Sequence, residues 1–163
     1  MEKKRIAFEI EEYPSAASLT EQDRSLLEKA RSVTAIAYAP YSRFRVGAAA
    51  RLKNGQIVEG SNQENASYPI GICAERVLMS VASMLYPEQG IDTMAISYHN
   101  QRGASDLPIS PCGMCRQAMH EFELRTQCAM RVILSGMDGK VWIIAKANDL
   151  LPLSFDGDVL MDH

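Results

Sequence analysis

The chain has 163 residues, of which 47% are hydrophobic and 23% charged, with a formal net charge of -3. That length suits one domain with a sizeable core, and the composition is that of an ordinary globular chain. A negative balance with nothing that clusters like an extended basic patch argues against a nucleic-acid partner, which is held largely through phosphate neutralisation. No apolar run approaches a membrane span, and Met1 to Glu12 mixes Lys and Glu without the apolar stretch of a signal peptide. A cytoplasmic setting is expected, where thiols stay reduced, so the four cysteines are read as ligands or core residues and not as disulfides.

Residues 1–17 have no clear periodicity and form an N-terminal extension, with residues 18–163 as one domain. A helix follows. Thr20 suits its cap, Glu21 and Asp23 occupy its first turn, and Leu26, Leu27, Ala30, Val33 and Ala37 recur at helical spacing until Pro40. Phe44 to Lys53 is strand-like, Asn54-Gly55 signals a hairpin, and Gln56 to Gly60 returns. After a polar loop to Gly71, Ile72 to Leu85 reads as an apolar helix and Asp92 to Tyr98 as a strand. A loop from His99 to Ser110 leads to Pro111, which is suited to opening a helix to about Arg125. Met130 to Ser135 and Val141 to Lys146 flank a second hairpin candidate, and the tail from Asn148 begins with a helical turn. Strands alternating with helices predict an α/β layered domain.

Three cysteines fall in two short motifs, Cys73-Ala74-Glu75-Arg76 and Pro111-Cys112-Gly113-Met114-Cys115-Arg116-Gln117. Cys112 and Cys115 are three apart, so on the first turn of a helix they share a face. Three thiolates round a tetrahedral zinc leave a fourth position for water, the layout of a catalytic site. Three thiolates also over-neutralise the metal. Two helix N-termini, and Arg76 and Arg116 donating to sulfur, are the expected compensation. Glu75 lies two residues after a ligand and is placed to move protons to and from a metal-activated water. A Cys-x-Glu followed by Pro-Cys-x-x-Cys is the signature of zinc nucleobase deaminases. The competing readings are plain buried thiols at Cys73 and Cys115, or a closed structural zinc site that would need a fourth protein ligand.

The stretch from Ala39 to Phe122 resembles the small homotetrameric cytidine deaminases. The resemblance is carried by Ala39-Pro40-Tyr41-Ser42-x-Phe44, Val46-Gly47-Ala48-Ala49, Gly60-x-Asn62-x-Glu64-Asn65-Ala66-Ser67-Tyr68-Pro69 and the two cysteine motifs. It implies a three-layer α/β/α sandwich with a central mixed sheet of about five strands, one zinc per subunit, and a homotetramer with sites near subunit interfaces. It also implies that Asn62 and Glu64 bind ribose hydroxyls, that Phe44 packs on the pyrimidine, and that the backbone at Ala74 helps read the base. Arg76 and Gln117 match positions supporting the cysteines, and Phe155 matches an aromatic reaching into a neighbour's site. On residue type alone, Asn62 and Glu64 read first as a polar loop after a strand, and Phe44 reads nearly as well as a core residue at a strand start.

The expected reaction is hydrolytic deamination of cytidine and 2'-deoxycytidine. A modified aminopyrimidine nucleoside such as blasticidin S is the alternative substrate, since that class shares the three-cysteine signature. Deamination within a nucleic acid and a non-enzymatic zinc-stabilised module are the remaining competitors. The extension through Ala17 is longer than a compact member of the family needs.

Overall fold

A computed structural model describes residues 1–160. Its strands are β1 (Glu11–Tyr13), β2 (Phe44–Leu52), β3 (Ile57–Ser61), β4 (Ile91–Asn100), β5 (Arg131–Ser135) and β6 (Val141–Ile144); its long helices are α1 (Glu21–Val33), α2 (Ala74–Leu85) and α3 (Gly113–Thr126). The strands form one sheet in the order β1-β6-β5-β4-β2-β3. Only β4 and β5 run parallel, and α3 lies in the connection between them. The sheet is therefore mixed.

Alternation along the strands builds two cores. Ala48, Ala50, Met94, Ile96, Val132 and Leu134 face α2 and α3, where Leu78, Met79, Met119 and Phe122 meet them. Their neighbours Ala49, Ala95 and Ile133 face the other way, against Leu26, Leu27 and Ala30 of α1. Wholly buried leucines such as Leu27 and Leu78 each contribute about 1.5–3 kcal/mol by leaving water. The α/β/α layering implied by the resemblance is thus present.

Small residues let both helix layers close tightly on the sheet. A Cβ on Gly47 would stand 2.2 Å from the Ala30 carbonyl of α1, and one on Gly60 would stand 2.5 Å from both the Ala74 carbonyl and the Leu78 nitrogen of α2. Charged groups tie α1 down as well. Arg131 donates to both Asp23 oxygens at 2.7 and 3.0 Å, and the buried Arg31 donates to the Gly136 carbonyl at 3.0 Å.

The structure departs from expectation at the edges of elements. To the five strands β2 to β6 the sheet adds a sixth, because Glu11–Tyr13, inside the extension, pairs antiparallel with β6. That strand is too short and acidic to carry a period of two. Glu12 fastens it by accepting from Lys140 and the Trp142 indole at 2.7 and 2.8 Å. The first helix ends at Val33, seven residues before Pro40, and passes into a 3₁₀ turn at Thr34–Ile36. There the Thr34 hydroxyl donates back to the Arg31 carbonyl at 2.7 Å. Strand β4 runs two residues past Tyr98, with the polar His99 and Asn100 paired to Arg45 and Phe44.

Candidate active site

Both cysteine motifs sit where a helix begins. Cys73 is the N-cap of α2 and Cys112 the N-cap of α3, both with extended backbone and no side-chain cap bond. Cys115 lies in the first turn of α3. The unpaired first-turn N–H groups and the positive ends of two helices therefore surround the sulfurs. Nothing in a cysteine's local propensity asks for an N-cap. The Pro111-Cys112-Gly113 sequence and the close fit of Gly60 under α2 set these starts.

The three Sγ atoms lie within 4.8 Å of one another, with Cys73 to Cys112 at 3.8 Å and Cys112 to Cys115 at 3.4 Å. Thiolates bonded to a tetrahedral zinc at about 2.3 Å stand about 3.8 Å apart, so the trio fits that ion. The set is soft, has three members and is open on the Cys112 side, which is exposed while Cys115 is buried. A hydrogen bond from Cys115 brings the Cys73 thiol down to about 6 against the opposing effect of burial, with the Arg76 charge helping. The same contact, with burial, pushes the Cys115 thiol up, as expected when one proton is shared among crowded sulfurs.

Glu75 is 4% exposed, and loss of water raises its carboxyl above the usual range. Together with Cys73, Ala74 and Cys112 it lines one cavity of about 660 Å³, a size suited to a small molecule. Asn62 and Glu64 line the same cavity, and both also hold the chain. Asn62 accepts from the Val46 N–H at 2.7 Å and donates to the Phe44 carbonyl at 3.0 Å. Glu64 accepts the Tyr41 N–H at 2.9 Å and the Ser42 N–H at 3.3 Å. Burial would raise the Glu64 carboxyl, but the bonds from Ser42 and Tyr41 prevail and lower it. Each side chain keeps a lone pair or proton for a ligand.

The remaining expected residues lie outside the cavity lining. Phe44 stacks on Tyr98, ring centroids 4.8 Å apart and 16° from parallel. Gln117 donates to the Phe155 carbonyl at 2.8 Å, which fastens the tail, while the Phe155 ring is 60% exposed. Arg76 acts on Cys73 through its charge. Arg116, expected to donate to sulfur, instead donates to the Pro111 and Leu150 carbonyls at 2.9 and 3.0 Å. It braces the turn carrying Cys112. Tyr41, Tyr68, Ile109 and Met114 line the cavity without having been singled out. Tyr41 and Tyr68 meet edge to face at 6.0 Å. Both stand inside the motifs already quoted, so position in the motif was the available signal. Among the described residues, no helix is long and apolar enough to cross a membrane.

Residues 20–136 match the family model described as the cytidine and deoxycytidylate deaminase zinc-binding region. A cytidine deaminase from Halalkalibacterium halodurans is 36% identical over 137 residues, spanning 84% of this chain and 96% of that protein. A blasticidin-S deaminase from Bacillus cereus is 28% identical over 141 residues, spanning 85% of this chain and 95% of that protein. The crystal structure of cytidine deaminase from Burkholderia pseudomallei superposes with a TM-score of 0.71 at 37% identity, covering 84% of this chain and all of that one. With a three-cysteine centre beside a buried glutamate and a family match across more than half its length, the chain belongs to the cytidine and deoxycytidylate deaminase family.

Proposed function

We propose that the chain hydrolyses cytidine and 2'-deoxycytidine to uridine and 2'-deoxyuridine, releasing ammonia. The observation that carries this reading is the opening of the Cys73, Cys112, Cys115 centre and the buried Glu75 carboxyl onto a single cavity. Residues 18–163 are the catalytic unit, working in the cytoplasm in pyrimidine salvage on a free nucleoside and not on a nucleic acid.

Zinc held by the three cysteines supplies the Lewis acidity that makes water a nucleophile near neutral pH. Glu75 takes the proton from the attacking water and hands it to N3 of the pyrimidine as C4 becomes tetrahedral. It then carries the water's remaining proton from the new C4 hydroxyl to the departing amine, so C4=O forms as the C4–N bond breaks, and water and the aminopyrimidine leave as the pyrimidinone and ammonia. A carboxyl kept from solvent is suited to this, because it binds a proton more readily than an exposed one. The backbone at Ala74 orients the base. Asn62 and Glu64, already fixed by their bonds to β2 and the Tyr41-Ser42 turn, meet the ribose hydroxyls with little ordering cost.

Assembly completes the site in this reading. The chain works as a homotetramer in which Phe44 packs on the pyrimidine and the exposed Phe155 ring enters a neighbour's site. Arg76 and Gln117 support the cysteines indirectly, one by charge and one by holding the tail. The blasticidin-S relative makes that modified nucleoside the second substrate to assay.

The test is ultraviolet-monitored conversion of cytidine by the zinc-loaded protein, with Glu75→Gln alongside. Turnover by the wild type and a fall of about 10²–10⁴-fold in the variant, with zinc retained, are expected. A variant with undiminished turnover would remove Glu75 from the proton path. A zinc-loaded wild type that ignores cytidine but converts blasticidin S would reassign the substrate.

A further inference from the structure

The segment preceding β1 is unexplained by the deaminase site, and the family match begins only at residue 20. Its order is basic, apolar, acidic: Lys3-Lys4-Arg5, then Ile6-Ala7-Phe8, then Glu9-Ile10-Glu11-Glu12. Ile6, Phe8 and Ile10 alternate along it and are 61%, 42% and 45% exposed. Such spacing puts three apolar side chains on one face of an extended strand. Strand β1 stands at the end of the sheet order, so one of its edges pairs with β6 and the other has no strand against it among the described residues. An open edge beside a short run of exposed apolar residues is an association surface.

We infer that residues 4–12 of two copies of this chain pair antiparallel about a two-fold axis at Phe8, joining their sheets through β1. The sequence is its own complement when inverted. With Phe8 opposite Phe8, Ile6 faces Ile10, Arg5 faces Glu11, and Lys4 faces Glu12, each pair occurring twice. The two-fold symmetry follows because both partners present the same strand. Opposite charges directly across a ladder stabilise it, and this register adds the Phe8–Phe8 and Ile6–Ile10 pairs to its two charge pairs, whereas a slip of one sets Ile6 against Glu9 and Arg5 against Ile10. The acidic half also disfavours an anionic surface as the occupant. Glu12 already accepts from Lys140, so Lys4 joins an existing ion pair, while Glu11, which accepts the Tyr13 hydroxyl at 2.8 Å, receives Arg5.

Cysteine cross-linking reads the register directly in the full-length, zinc-loaded protein. Facing Cβ atoms stand about 4.5–5.5 Å apart, close to the span of a disulfide. Phe8→Cys is therefore expected to form a covalent dimer under mild oxidation. Ile6→Cys and Ile10→Cys alone have equivalent residues about 13 Å apart and are expected to cross-link at least about tenfold more slowly. Mixing those two variants restores a fast heterodimer. Adding Arg5→Glu to Phe8→Cys slows the reaction roughly tenfold at low salt, and Glu11→Arg in the same chain restores it. Cross-linking of Phe8→Cys no faster than of Ile6→Cys or Ile10→Cys would overturn the pairing, as would indifference to Arg5→Glu.

Discussion

Gly60→Ala should disable the site from behind, without replacing a residue that lines the cavity. The new methyl would lie 2.5 Å from the Ala74 carbonyl and the Leu78 nitrogen, both backbone atoms of α2. Relief to an ordinary contact of 3.4 Å needs a shift of about 0.9 Å, and neither strand β3 nor the helix can give by rotating a side chain. Helix α2 begins immediately after Cys73 and carries Glu75 in its first turn. A displacement near 1 Å at reacting groups costs on the order of 10²-fold in rate, while overpacking costs about 1–3 kcal/mol of stability. Gly47→Ala is the control. Its methyl would meet the Ala30 carbonyl at 2.2 Å, an equally severe clash, but with α1 on the opposite face of the sheet. Thermal melts, zinc content and steady-state cytidine kinetics of the folded fraction separate the two. Both should melt lower, by roughly 2–4 °C per kcal/mol for a chain of this size, and Gly60→Ala alone should lose most of its kcat. Equal losses of kcat in both variants, or none in Gly60→Ala, would refute the idea that α2 transmits the clash.

Removing zinc with a chelator should lower Tm as well as abolish turnover. Saturation at about 100 times Kd stabilises by about 2.7 kcal/mol, so a fall of roughly 5–11 °C is expected, reversed by adding zinc back. Asp92 is held down to about 2, chiefly by the bond from Lys53, with burial opposing and Arg51 and Thr93 assisting. A carboxyl lowered in the folded state stabilises above its unfolded value near 4 and loses that contribution as pH falls towards 2. Urea midpoints of the wild type should therefore drop across that window more steeply than those of Asp92→Asn. The effect should stay under about 1 kcal/mol, because both partners face solvent. Asp23→Asn strips the half-buried Arg131 of its carboxylate and should cost about 1–3 kcal/mol in urea unfolding while leaving KM for cytidine unchanged.

What could be read from sequence divides by the range of the interaction. Thr20 caps α1 as its type demands, accepting the Asp23 N–H at 3.3 Å, and Asn54-Gly55 turns β2 into β3 with Gly55 at φ 84. These are local. The cysteine centre was legible for a different reason, since a tetrahedral ion accepts few donor sets and few spacings. Partners distant in sequence were not legible. Nothing in Glu11-Glu12-Tyr13 announces a strand, because its pairing depends on Lys140 and Trp142. Arg116 looked like a donor to sulfur because it adjoins Cys115, yet helix geometry carries it to the Leu150 carbonyl. Phe44 has the right type for a base-stacking aromatic and also for the core, and within one chain it takes Tyr98 as its partner.

The centre also has a topological meaning. Cys73 and Cys112 are 39 positions apart, and the chain between them makes α2, all of β4 and the loop that follows. An ion gripping both ends closes that span into a ring, much as a disulfide would. Closing a ring of about 40 residues removes roughly 4 kcal/mol of freedom from the unfolded chain, in the same chain-entropy model used for disulfides. The longest strand of the sheet is thus threaded through a clasp whose two jaws are the starts of α2 and α3. An unfolded chain that kept its ion would begin the search for the β2–β4 pairing with one long loop already shut, so the ion that serves chemistry would also shorten the route to the fold.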